Sequence, residues 1–304
     1  MRRLLDLLLL ISWGTALAQV HDVHCQGDLA PLNIVPTFDH GYLVAYDRDY
    51  RIGVFAPDGA LLYRTAAKVP NSAWAVIENV SVDSDGVLAA VVRAGGGGGI
   101  ALFDRNGAQT RYFDTGEFLP TQVAFGPNHA IWALGWLGED RASLAEDYAI
   151  LRKFAQDGTA LGAFLPRSSF PPDPLHERLI VPFTGFWGLR VAADRVEAVL
   201  ETAHLWVETD LNGRETGRWK VAPEGRPHAF TQNGDAWRIH ETRLERFDRA
   251  TGVWRVVEFN PPVGNLLGAD GNNLVFELPD RTLRWVPAPE EARAANSSTS
   301  QTRP

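Results

Sequence analysis

The sequence predicts an all-β fold, and three observations predict it. Short apolar runs recur along the whole chain, nearly every gap between them is a short turn, and no long helical periodicity intervenes. The stretch from Asn79 to Phe113 holds the unit. Val80 to Val92 flanks Asp85-Gly86, and Ile100 to Phe113 flanks Asn106-Gly107. Asp-Gly and Asn-Gly tolerate the positive φ of a tight hairpin, so each half reads as strand, turn, strand, and the unit as four antiparallel strands.

The unit repeats. Inner turns fall at His40-Gly41, Asp85-Gly86, Pro127-Asn128, Asp194-Arg195, Asn233-Gly234 and Asp270-Gly271. Outer turns alternate with them at Asp58-Gly59, Asn106-Gly107, Asp157-Gly158, Asn212-Gly213, Thr251-Gly252 and, shortened, Asp280-Arg281. Each inner turn precedes an apolar run such as Tyr42 to Ala45, Ala130 to Leu134 or Val196 to Leu200. The inner turns advance by about 46 residues per step, within the range of propeller blades. A lone antiparallel sheet exposes an apolar face, whereas six sheets around an axis shield one another on both faces. The expected architecture is therefore a six-bladed β-propeller of four-stranded antiparallel blades, with the 10 Trp and 15 Phe filling the space between blades.

Taken in order, the chain opens on Arg2 and Arg3, an apolar stretch Leu4 to Ile11 and the small-residue site Ala16-Leu17-Ala18, which together read as a signal peptide over 1–18. Export to a periplasmic or extracellular space is expected, with no integral membrane segment left after cleavage. Cleavage after Ala18 leaves Gln19-Val20-His21, an arrangement copper or nickel can use; the plainer reading is a polar entry to a first strand. The propeller is expected over 19–287. Its last blade has only three strands of its own, ending at Val286 before Pro287 and Pro289, so Gln19 to Gln26 is expected to supply the fourth and close the ring. The tail 288–304, rich in Ala, Ser and Thr, carries no apolar periodicity and is expected to be disordered.

Composition excludes several functions. A formal charge of -8 and a pI near 5.5 provide no basic field for nucleic acid. One cysteine builds neither a disulfide framework nor a cysteine zinc site. There is no Gly-x-Ser-x-Gly elbow, and His176-Glu177 and His240-Glu241 lack the second His of a zincin helix.

Arg51 to Gly59, followed by Val80 to Leu88, resembles the repeat of NHL-type six-bladed propellers, with weaker recurrences at Leu102 to Gly107, Leu151 to Gly158 and Leu244 to Asp248. The resemblance implies the architecture and leaves the chemistry open, since such propellers include scaffolds, binding modules, lactonases and lyases.

Departures from the repeat are where a site is expected. Long loops at 93–99, 135–148 and 165–182 fall on one face of the ring, and the expected function is an exported binding module using that face for a protein, peptide or small ligand, with no cofactor. Gln122, Trp136, Phe186, Trp187, Arg190, Arg226 and His228 are the expected contact residues. The alternative is a lactonase or lyase with a divalent metal in the central channel. The resemblance implies metal ligands at the starts of inner strands, where this chain has Glu78, Asn79, His228 and Asn265.

Overall fold

The structure, a computed structural model, describes residues 21–24, 35–46, 51–95, 97–137, 147–170, 188–200, 203–221 and 228–289. The expected signal segment 1–18, and the tail from 290 onward, lie outside them. Among the described residues, twenty-four strands form six four-stranded antiparallel sheets. After β1 (His21–His24), the first blade holds β2 (Val35–Asp39), β3 (Tyr42–Tyr46), β4 (Arg51–Phe55) and β5 (Leu61–Ala66). The second holds β6 (Val76–Val82), β7 (Leu88–Ala94), β8 (Gly97–Phe103) and β9 (Gln109–Asp114). The third holds β10 (Phe118–Phe125), β11 (Ile131–Leu137), β12 (Ala149–Phe154) and β13 (Ala160–Pro166). The fourth holds β14 (Leu189–Val191), β15 (Arg195–Leu200), β16 (Leu205–Asp210) and β17 (Glu215–Lys220). The fifth holds β18 (Ala229–Phe230), β19 (Ala236–His240), β20 (Arg243–Asp248) and β21 (Val253–Val256). The sixth combines β22 (Asn265–Asp270), β23 (Asn273–Glu277) and β24 (Thr282–Pro287) with β1, in the order β1-β24-β23-β22. Among the described residues no helix is long and apolar enough to cross a membrane.

Burial falls from the first strand of a blade to the last. Every residue of β10 is buried, whereas β5 and β17 alternate between half-buried and exposed. The first strands therefore line the axis and the fourth strands face solvent. Six apolar clusters each join two consecutive blades: one and two around Val44 and Phe103, two and three around Ile100 and Phe118, three and four around Trp132 and Val207. The series continues through four and five around Trp206 and Phe247, five and six around Trp237 and Phe276, and returns from six to one around Trp285 and Leu43. The ring is thus packed shut. At the junction β1 runs antiparallel to β24, from His21 opposite Trp285 to His24 opposite Thr282, and Asp22 takes a two-pronged bond from Arg284 at 2.7 and 2.6 Å.

The turn chemistry is local. At the outer hairpins Asp104 Oδ1 accepts the backbone N–H groups of Asn106 and Ala108, and Asp210 Oδ1 those of Asn212 and Arg214, all at 2.9 Å. The glycine that follows, Gly107 or Gly213, sits at φ 82°. The same one-residue register shift occurs before the outer turns at Val54/Phe55, Leu102/Phe103, Lys153/Phe154 and Glu208/Thr209, followed by Asp-x-x-Gly in the second and fourth blades and by Ala-x-x-Gly in the first and third.

One expectation is corrected. The segment 93–99 is not a long loop: β7 and β8 pair as far as Ala94 opposite Gly97, and Gly98 and Gly99 lie in the ladder opposite Arg93 and Val92. At Gly98 and Gly99 neighbours fill the space a side chain would need. A Cβ on Gly99 would lie 2.5 Å from the Tyr112 hydroxyl oxygen and 2.7 Å from the Phe113 carbonyl oxygen. Gly99→Ala is expected to cost about 1–3 kcal/mol through overpacking, read as a lower urea midpoint at unchanged m-value. An unchanged midpoint would mean that the strand has room there.

Candidate functional site

The first strands of all six blades run in the same direction along the axis, each ending at an inner turn. Their second halves and those turns enclose a cavity of about 760 Å³. Val80, Val123, Leu189, Val191, Ala229 and Leu267 form an apolar girdle, and Asp39, His40, Asp83, His129, Arg190 and Asp270 supply the charged and titratable groups nearer the turns. The β7–β8 hairpin and the end of β11 at Leu137 lie at the opposite end of the ring; 138–146 and 171–187 of the expected contact surface are outside the described residues.

Polar groups of blades one to three lock the cavity wall. Ser81 Oγ donates to Asp39 Oδ2 at 2.6 Å, and the Val82 N–H donates to the same oxygen at 3.1 Å. Ser81 Oγ also accepts the Phe125 N–H at 3.3 Å, and Asn79 Oδ1 accepts the Val123 N–H at 2.8 Å. These bonds cross from blade to blade, so they hold neighbouring inner strands at a fixed spacing in a buried place where an unmade bond is costly.

His129 joins blades two and three at the mouth. Asn128 and His129 occupy the left-handed region at φ 58° and 57°, which turns the imidazole toward the second blade. Its Nδ1 lies 2.8 Å from Asp83 Oδ2 and its Nε2 3.4 Å from Asp85 Oδ2. Asp83 is buried, and its other oxygen accepts the N–H groups of Asp85 and Val87, both at 2.9 Å. The ligand-type atoms of Asp83, Asp85 and His129 all lie within 4.8 Å of one another, a spacing a metal ion can use. The hydrogen bond with Asp83 raises the His129 pKa; desolvation opposes this, and the charges of Asp83 and Asp85 add to it. Since the folded-state value lies above the ordinary one, the clasp contributes most below the unfolded-state value and is lost as pH rises through the folded one. An NMR titration is expected to place the His129 midpoint above about 6.5, and Asp83→Asn to lower it. A wild-type midpoint at or below 6.5 would contradict the clasp.

Arg190 lies on the far wall, and a cluster behind it compensates its charge. Arg190 Nη1 donates to Glu197 Oε2 at 3.1 Å and Nη2 to the Thr231 carbonyl oxygen at 3.2 Å, with the guanidinium 5.0 Å from the Phe230 ring centre. Arg195 Nε donates to Glu197 Oε1 at 3.0 Å, and Arg249, from the fifth blade, donates to both Glu197 and Glu208. Burial pulls the Glu197 pKa upward, but the charges of Arg190 and Arg249 and the hydrogen bonds from Arg195 and Arg249 outweigh it and leave it lowered. Glu208 is pushed up, chiefly by burial.

Of the residues expected from sequence, Asn79 and Arg190 line the cavity. Glu78 sits one residue outside it, in the register shift between Ile77 and Asn79, and is ion-paired to Arg93; burial raises its pKa against the pull of Arg93. Gln122 is buried next to a similar shift in β10 and packs near Gly188 rather than lining the cavity. Trp136 stacks under Arg93, 4.9 Å from the guanidinium carbon, at the opposite end of the ring. His228 Nδ1 accepts the Ile239 N–H at 3.3 Å, and Asn265 opens β22 on the exposed side, paired with Glu277. Phe186, Trp187 and Arg226 lie outside the described residues. Sequence reasoning does not single out Asp39, Asp83 or His129 and finds Asp270 only as a turn residue; the inner turns beside them are the one signal that marks them.

No family model matches the chain, and no curated protein matches it in sequence. Among solved structures, selenomethionine-substituted virginiamycin B lyase from Staphylococcus aureus is similar, at a TM-score of 0.47 and 13% identity over 88% of this chain and 99% of that one. A catalytically inactive variant of the same lyase with quinupristin is similar at a TM-score of 0.47 and 12% identity over 90% and 89%.

Proposed function

We propose that this protein is an exported binding module with NHL-like blades, and that its ligand is a small molecule seated in the axial cavity from the inner-turn side. The observation that carries this reading is the cavity itself. All six blades contribute to it, and at about 760 Å³ it lies within the range of small-molecule sites, with apolar walls and a few converging polar groups. A divalent-metal lactonase or lyase in the channel would draw on Glu78, Asn79, His228 and Asn265. Of these Asn79 alone lines the cavity; Glu78 is ion-paired to Arg93, His228 Nδ1 accepts the Ile239 N–H and Asn265 stands at the exposed start of β22, so the set does not converge on the channel.

The test is a thermal-shift screen of a metabolite library against the purified protein and an Ala193→Trp variant. Ala193 is exposed in the β14–β15 turn and lines the cavity, so the indole can block the mouth without entering the core. Hits are expected to vanish in Ala193→Trp and to survive deletion of residues 171–182. Hits that survive the block and vanish with the deletion would place the site on the other face. Export is checked by N-terminal sequencing of protein recovered outside the cytoplasm, with Gln19 expected as the first residue.

A further inference from the structure

The charge distribution around the axial cavity names the class of ligand. Resting on the cavity being the binding site, we infer that the ligand is an amphipathic organic cation, with an ammonium or guanidinium head on an apolar body.

The cationic side of the cavity is internally neutral. Arg190, Arg195 and Arg249 are matched by Glu197, Glu208 and Asp194, all joined by ion pairs. Arg190 is the member that lines the cavity; its guanidinium is engaged by Glu197 and Thr231, and its face lies over Phe230. An anionic ligand would therefore have to compete with Glu197, which keeps 1% of its side-chain surface exposed.

The opposite side has a surplus of carboxylates. Asp270, Asp39 and Asp83 come from three consecutive blades, the sixth, first and second, and line the cavity in an arc; Asp85 stands beside Asp83 at the mouth. The imidazoles within reach are His40, whose Nε2 is 3.5 Å from Asp39 Oδ1, and His129. Even with both protonated, the three lining carboxylates, with Asp85 just outside the lining, outnumber the two positive charges. Asp39 keeps 31% of its side-chain surface exposed, so a cation can reach the arc without opening the core. Below it lies the apolar girdle of Val80, Val123, Leu189, Val191, Ala229 and Leu267. A ligand matching both layers places its charge toward the turns and its body toward the axis. Within a concave, partly desolvated site, opposite charges attract more strongly than in bulk water.

Three probes that share one aromatic body and differ in head group separate this inference from the cavity reading: tryptamine, tryptophol and indole-3-propionate, titrated calorimetrically into the purified protein. Tryptamine is expected to bind about tenfold more tightly than tryptophol, and indole-3-propionate to bind weakest. The preference is expected to shrink as ionic strength rises. The double variant Asp39→Asn/Asp270→Asn keeps an acceptor oxygen for the Val82 N–H and the Trp285 indole N–H. It is expected to bring tryptamine to the affinity of tryptophol while leaving tryptophol unchanged. Equal binding of the three probes, or a preference for the carboxylate, would overturn the cationic assignment and leave the cavity reading intact. Binding by none would also overturn it, and the cavity reading would then stand or fall on the Ala193→Trp screen. If the double variant loses tryptophol as well, the carboxylates act through the wall and not on charge, which again rejects the inference.

Discussion

Trp206→Ala is expected to lower stability by about 3–5 kcal/mol, in the range for truncating a large buried aromatic side chain. Trp206 lies on β16 and is fully buried where the fourth blade meets the fifth. Its ring is 4.5 Å from that of Phe247, 5.7 Å from Phe230 and 5.8 Å from Trp219, and the Arg249 guanidinium lies 4.9 Å from its centre. Removing the indole leaves a cavity walled by residues held from two blades, so neither side can collapse into it freely. At about 2–4 °C per kcal/mol for a large domain, the melting temperature should fall by about 6–20 °C. Trp74→Ala is the control, since that indole is 58% exposed and its loss should change stability by no more than about 0.5 kcal/mol. Equal effects at the two positions would contradict the packing between blades four and five.

Glu197→Gln is expected to be comparably damaging. It removes the charge around which Arg190, Arg195 and Arg249 are arranged and leaves three cations with only Glu208 and Asp194 to balance them. Breaking a buried pair costs about 3–5 kcal/mol, and the lower end applies because the arginine side chains keep 20–29% of their surface exposed. The pH dependence has a defined sign. Glu197 has a lowered pKa in the folded protein, so its contribution is complete above the unfolded-state value and is lost as pH falls through the folded one. Glu208, pushed upward, acts in the opposite sense, so the effect is read from the difference between the wild-type and Glu197→Gln stability curves. That difference should be largest at neutral pH and shrink on acidification. A constant difference would mean that Glu197 acts by shape alone.

The architecture was legible because its signals are short-range. A turn such as Asn106-Gly107 is built by the backbone preference of its own residues and one aspartate two positions earlier, and all of that is visible in a stretch of five letters. Twelve such turns in strict alternation leave few other folds. The segment 93–99, with glycines at 95–99, is not legible as strand because flexibility and tight packing both call for the same residue; the position of Tyr112 against Gly99 distinguishes them.

The site was far less legible. Its rim is made of residues that local turn chemistry accounts for: His40 and Asp270 in turns, Asp83 accepting turn amides. Nothing in a single sequence shows that six such turns converge on one opening. The partners of Asn79 and Glu78 point to the same limit. Val123 is 44 residues from Asn79, and Arg93 reaches Glu78 only because β7 folds back along β6, so two side chains suited to a metal are engaged by the wall instead.

The most direct test of the account is a crystal structure of the protein with a ligand obtained from the library screen. Ligand density is predicted inside the axial cavity, against the inner turns of the six blades, with its polar end toward Asp39, Asp83 and Asp270. Density confined to the opposite end of the ring, around Trp136, would contradict it.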